Sequence, residues 1–251
     1  MIDLKKEKNV RILALDSTAL TATVALCEDE KLLAEYTINN GNTHSETILP
    51  MISSMLELFG CDVSDIDVFA CSAGPGSFTG VRIGAATLKG LAFDREKPCV
   101  GVSTLEALAY NVRGCDGIIC AVMNARRGQV YNALFSSGGE RLCEDRALSI
   151  EELCEELVQR NTRVVVCGDG TDITLEGFKG RVNAVAAPNR LVCQSAYSVA
   201  QVALRDAKEG KTVTDIELTP VYLRLSQAER ERLERESGSI ENNEKIKGVN
   251  R

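Results

Sequence analysis

Short apolar runs separated by polar turns open the chain and predict three consecutive strands. "VRILALDS" is an apolar run closed by a polar pair, "TATVALC" alternates, and "KLLAEYTI" follows a turn at Glu28–Glu30. The period then changes in "THSETILPMISSMLELFG", which predicts a helix. Thr43 stands at its N-cap, Glu46 in the capping-box position and Gly60 at its stop. "DVFACSAG" predicts a fourth strand, Ser77 to about Asp94 a second helix, "KPCVGVS" a strand and "TLEALAYNV" a short helix. The second half repeats this order. "GIICAVMNARRGQVYNALFSS" reads as a hairpin, "ERLCEDRALS" as a third strand and "IEELCEELVQR" as a helix. "RVVVCG" and "RVNAVAA" read as strands, and "SAYSVAQVALRDAKEG" as a closing helix.

Three strands, a helix and further strands, twice over, predict an α/β chain of two related lobes at 1–104 and 105–225. A polar tail at 226–251 is expected to be partly disordered for want of apolar residues.

Two helices carry unusual faces. On a wheel at about 100° per residue, Ile48, Ile52, Met55 and Phe59 share a line. Leu49 and Leu56 widen the arc on one side, Met51 and Leu58 on the other. The arc spans roughly 180°, against little more than about 100° for a surface helix. Either the helix is squeezed between its sheet and an outside partner, or it is buried within its own domain. In the second helix Gly76, Gly80 and Gly84 recur every four residues beside Ala85 and Ala86. Glycine costs about 1 kcal/mol against alanine in a helix, so the stripe predicts close approach of another backbone. The same N-terminus, "GPGS", could hold an anion. However, neither G-x-x-x-x-G-K-[ST] nor G-x-G-x-x-G is present.

Composition narrows the chemistry. A net charge of -7 over 251 residues argues against unaided grip on nucleic acid. No apolar run approaches a membrane span of about 20 residues, and the N-terminus lacks the apolar core of a secretion signal. Ten cysteines are scattered without a C-x-x-C pair, several inside apolar strands, as expected of buried thiols in a reducing cytoplasm. The single histidine, His44, rules out a histidine-based metal cluster within one chain.

Four stretches together, "SAGPGSFTGVRIG", "STLEALAYN", "NARRGQVY" and "PVYLRLSQAERE", resemble the bacterial TsaB (YeaZ) family from about Ile12 to Arg230. The resemblance implies the actin/Hsp70/sugar-kinase fold with two RNase-H-like lobes. It also implies a part in making threonylcarbamoyladenosine beside the anticodon of tRNAs that read codons starting with A. In that family the chain serves as dimerisation partner of the catalytic subunit TsaD, with the ATP-using TsaE as third component. Against the paralogue's N-H-x-E-[GA]-H, this chain has "STLEAL". Thr104 and Leu108 replace the two metal-binding histidines, while Glu106 and Ala107 keep the frame. The paralogue's phosphate hairpin S-G-G-H-T is here "NARRG", and Asn124 replaces the family's usual Asp.

The resemblance therefore implies a non-catalytic subunit whose helices Thr43–Phe59 and Ser77–Asp94 meet the same pair on the partner, or on a second copy when alone. The expected interface residues are His44, Ile48, Met51, Ile52, Met55, Gly76, Phe78, Gly80, Val81, Gly84 and Leu88. Asp16, Ser17 and Thr18 lie where this fold handles phosphate. The preferred expectation is that they cap a tight hairpin, with ATP or ADP confined to the complex. Arg126 and Arg127 are candidate contacts to tRNA or to the partner. The alternative is an autonomous ATPase, phosphotransferase or peptidase, resting on Asp16 and the Gly-Pro-Gly turn, and its peptidase form would pair His44 with a serine such as Ser45 or Ser77.

Overall fold

A computed structural model describes residues 9–224. The N-terminal sheet contains β1 (Arg11–Asp16), β2 (Ala22–Glu28), β3 (Lys31–Ile38), β4 (Val68–Gly74) and β5 (Cys99–Ser103), in the order β3-β2-β1-β4-β5. β1 pairs antiparallel with β2 and parallel with β4. The second sheet uses β6 (Ile118–Asn124), β7 (Gln129–Phe135), β8 (Arg146–Ser149), β9 (Val164–Cys167) and β10 (Ala184–Ala186), in the order β10-β9-β6-β7-β8. Numbered within each sheet, both orders are the same, with the same parallel and antiparallel senses. The expected pair of RNase-H-like lobes is therefore present.

Central strands are buried on both faces, which is why "VFACSAG" shows no alternation. On one side of the first sheet lie α1 (His44–Phe59) and α2 (Phe78–Ala92), sharing a core of Leu13, Leu15, Ile48, Ile52, Met55, Phe69 and Leu88. On the other lie α3 (Thr104–Asn111) and α7 (Ala196–Lys208), over Ile12, Ala14, Val68, Ala70, Val100 and Val102. The boundary at 104/105 thus needs correction. α7 follows the second lobe in sequence yet covers the first sheet, and α3 contributes to the cores of both sheets. The segment from Val213 then returns along the first lobe, bridging Cys99 and burying Leu218. The second sheet is covered by α4 (Ile150–Arg160) and α5 (Thr171–Phe178) on one face, with α3 and α6 (Asn189–Val192) on the other. The tail at 226–251 lies outside the described residues.

Several helix ends follow local chemistry. Gly60 terminates α1 in the left-handed conformation, and Ser77 caps α2 by accepting from the Gly80 amide. The capping box expected at Thr43 and Glu46 is absent, because Thr43 Oγ1 bonds Ser45 instead. A full box forms at Ser149 and Glu152 of α4.

Candidate functional site

The glycine-rich segment lies where three pieces of chain meet. Gly74, at φ +120° before a cis peptide to Pro75, would place a Cβ 2.4 Å from the Val221 carbonyl oxygen. The Val221 amide donates to Ala73 O at 2.7 Å. A Cβ at Gly76 would stand 2.7 Å from both Cβ and O of Thr18, one at Gly80 2.0 Å from Ser17 O, and one at Gly84 2.5 Å from Ser17 Oγ. The expected close approach of backbone is real, but the backbone belongs to the chain itself. Gly76, Gly80 and Gly84 therefore do not form an outward groove for a partner helix. That edge of α2 is filled by the β1–β2 turn.

The anion reading weakens for the same reason. The Ser77 amide at the start of α2 donates to Thr18 O at 2.7 Å, and the Gly80 amide to Ser77 Oγ. Asp16 is buried at the end of β1 and accepts from the Thr18 amide and hydroxyl at 2.7 Å each and from Ser72 Oγ. Ser17 Oγ donates to Gly80 O at 2.8 Å. Burial drives the Asp16 carboxyl above the ordinary carboxylate range despite these donors. Asp169, in the turn after β9, is raised chiefly by burial as well, and the negative charge of Asp16 adds to it. The Ser77 and Gly80 amides at the start of α2 are thus taken by the chain itself, and Asp16 lies near enough to Asp169 for their charges to interact. "VVVCGDGTDI", strand to Gly-x-Gly to helix, is the signal that could have flagged Asp169 in the sequence.

The remaining phosphate and metal positions are also reworked. Thr104 is fully buried with an unpartnered hydroxyl, and Leu108 lies in the second core. Glu106 bonds Arg205 at 2.7 Å and Arg141 at 3.0 Å, a structural tie between α3, α7 and the β7–β8 loop. Burial acts to raise the Glu106 carboxyl, and the two guanidiniums outweigh it and hold it below its ordinary value. Arg126 and Arg127 occupy the β6–β7 hairpin, both exposed and both at positive φ (62° and 55°), with neither side chain bonded among the described residues. All ten cysteines are free. Burial pushes Cys27, Cys71 and Cys120 up to about 12, which keeps them as thiols. Among the described residues no three histidine, cysteine or acidic side chains gather as a metal ion would require.

His44 opens α1, with Nε2 2.7 Å from Ala19 O. Neither candidate serine is bonded to it: Ser45 meets Thr43, and Ser77 Oγ accepts from Gly80. Of the expected interface residues, Ile48, Met51, Ile52, Met55, Val81 and Leu88 face the chain's own core and require the same correction as the glycines. The wide arc of α1 thus serves mainly burial. Phe78 and His44 remain half-buried.

What faces outward is a different stripe. On α2 it comprises Thr79, Arg82, Ala86 and Gly90, with Phe93 just past the helix end, and a Cβ at Gly90 would meet nothing within 4 Å. On α1 Leu49, Leu58 and Phe59 are exposed, at 51, 74 and 43%. Between the helices runs a groove of about 420 Å³ lined by Leu49, Ile52, Ser53, Leu56 and Leu91, continuing to Cys61 and Val63. The i, i+4 spacing of Arg82, Ala86 and Gly90 was the available sequence signal. It lay beside the more conspicuous glycines.

Comparison with known proteins bears on this arrangement. The family model described as "TsaD: tRNA N6-adenosine threonylcarbamoyltransferase" matches residues 31–223. The tRNA threonylcarbamoyladenosine biosynthesis protein TsaB of Bacillus subtilis is 33% identical, over 89% of this chain and 98% of its own. That of Escherichia coli is 32% identical, over 86% and 95%. Among solved structures, YeaZ from Pseudomonas aeruginosa superposes with a TM-score of 0.74 at 27% identity, covering 85% of this chain and all of its own. Another is described as having similarity to peptidase YeaZ (TM-score 0.72). With near-complete coverage of relatives above 30% identity and a doubled RNase-H-like fold, the chain belongs to the TsaB (YeaZ) family of tRNA threonylcarbamoyladenosine biosynthesis proteins.

Proposed function

We propose that this chain is a non-catalytic subunit of the machinery that forms threonylcarbamoyladenosine on tRNA, docking a TsaD-family transferase through the outer faces of α1 and α2. The observation that carries the reading is the contrast between the two sides of α2. Its inner side has closed the phosphate turn with the chain's own backbone, while its outer side presents Ala86, Gly90 and Phe93 beside Leu49 and Leu58 of α1. An exposed apolar strip of small and aromatic residues suits helix-on-helix packing. The helix pair is self-complementary, so a homodimer forms when the transferase is withheld. A TsaE-type ATPase then acts on the assembled pair. tRNA is held mainly by the partner, consistent with the charge of -7 here. The isolated chain binds no nucleotide.

The test is reconstitution with the transferase, the ATPase and tRNA from the same organism. Modification is expected only when this chain is present, and Ala86→Arg or Gly90→Arg should abolish co-elution while leaving the fold intact. Modification at full rate without this chain would refute the reading. ATP hydrolysis by the chain alone, lost in Asp16→Ala, would establish the enzyme alternative.

A further inference from the structure

Arg82, in the middle of the outward stripe of α2, is held by two aromatic rings and one hydrogen bond. Its guanidinium carbon lies 3.9 Å from the centre of the Phe78 ring and 5.6 Å from that of Tyr222. The two rings are themselves 4.5 Å apart, inclined at 31°. Arg82 Nε donates to Tyr222 Oη at 2.8 Å. Tyr222 in turn is carried by the returning segment, which is tied down on either side. The Val221 amide bonds Ala73 O, and the Arg224 guanidinium donates to Ala125 O at 2.9 Å. The arginine is thus oriented by stacking and by one hydrogen bond.

These restraints use Nε and one face of the group. Nη1 and Nη2 have no hydrogen-bond partner among the described residues. Arg141, Arg146, Arg181 and Arg205 are each paired with a carboxylate of the chain itself, whereas Arg82, like Arg113 over Tyr110, is ordered without one. The end-on fork of a guanidinium matches the two oxygens of a carboxylate, and an arginine already ordered loses less freedom on engaging one. From this geometry we infer that Arg82 is a preorganised receptor for a carboxylate side chain of the docked transferase. Tyr222 is its positioning residue. The inference rests on the docking reading above and adds the partner's chemistry at this point. A protein acid is favoured over an RNA phosphate because Arg82 is flanked by the rings of half-buried Phe78 and of Tyr222, with exposed Ala86 one turn on, and the chain is acidic overall.

The experiment is titration calorimetry of the full chain into the purified TsaD-family transferase at low and moderate salt. Arg82→Ala, Arg82→Lys and Tyr222→Phe are compared with the unaltered chain. Arg82→Ala should weaken binding about thirtyfold, as for a central arginine anchor. Arg82→Lys should recover little of this, because a point charge supplies neither fork nor stack. Tyr222→Phe keeps the ring and should lose several-fold. Replacing the transferase's surface acids one at a time by alanine should reveal one whose effect is not additive with Arg82→Ala. The inference is overturned if Arg82→Ala binds within twofold of the unaltered chain, if Arg82→Lys restores full affinity, or if no coupled acid is found. It is equally overturned if the loss appears in tRNA binding while transferase affinity is unchanged. Failure of the unaltered chain to bind the transferase would instead refute the docking reading, and this inference with it.

Discussion

Gly80 and Gly90 lie on the same helix and offer a paired test of which side of α2 is closed. Alanine at Gly80 brings its Cβ to 2.0 Å from Ser17 O, so helix and turn must separate by about 1 Å or more. Overpacking of this kind costs about 1–3 kcal/mol. The same movement stretches the buried Ser17 Oγ to Gly80 O bond, whose loss costs about 1–3 kcal/mol. Against these stands a gain of about 1 kcal/mol in helix propensity. The net expectation is destabilisation by about 1–5 kcal/mol, centred near 3. At Gly90 nothing lies within 4 Å, so alanine gains about 0.5–1 kcal/mol with no collision. Urea unfolding, followed by far-ultraviolet circular dichroism and tyrosine emission, should place the two midpoints about 1 M apart on opposite sides of the unaltered chain. A Gly80→Ala variant as stable as the unaltered chain would refute the account of the closed turn.

Other outcomes follow from the buried charges and the returning segment. Asp16 has a raised carboxyl, so its contribution is fully present below the ordinary value of 3.8 and is lost as pH rises through the folded-state value. Asp16→Asn should therefore gain on the unaltered chain as pH is taken upward from 4, measured by urea midpoints. A stability of the variant relative to the unaltered chain that falls with rising pH would contradict this. Glu106 behaves oppositely: its lowered carboxyl stabilises above the ordinary value of 4.5 and ceases to do so as pH falls through the folded-state value. Glu106→Gln should lose about 1–2 kcal/mol at pH 7 and nothing near pH 3, seen in denaturant titrations at the two pH values. Leu218→Ala removes a side chain only 3% exposed and should cost about 2–3 kcal/mol, with a matching fall in thermal midpoint.

The doubled strand order was legible because each strand and helix carries its own period and its own cap. Ser77 and Gly60 mark ends that the structure keeps. The short α5 and α6 escaped notice, since "TDITLEGF" and "NRLV" are too brief to show a period. The lobe boundary was misplaced because no local pattern says on which sheet α7 will lie. Its apolar face would suit either. The glycines at 76, 80 and 84 announced close approach, yet sequence alone does not say whose backbone approaches. Arg82 and Tyr222 are separated by 140 positions, so their meeting was visible only in three dimensions.

The crossing of α7 back onto the first sheet has a consequence for synthesis. When β5 has emerged from the ribosome, one face of that sheet still exposes Ile12, Val68, Val100 and Val102. α3 follows at once, but α7, the larger part of its cover, comes only after about a hundred further residues, or roughly 5–20 s of translation. The second lobe is made and can fold during this interval, while the first waits with an open hydrophobic face. A nascent-chain chaperone should therefore bind arrested chains that end within the second lobe, and release them once α7 is out. The first half of the gene would not yield a folded lobe by itself.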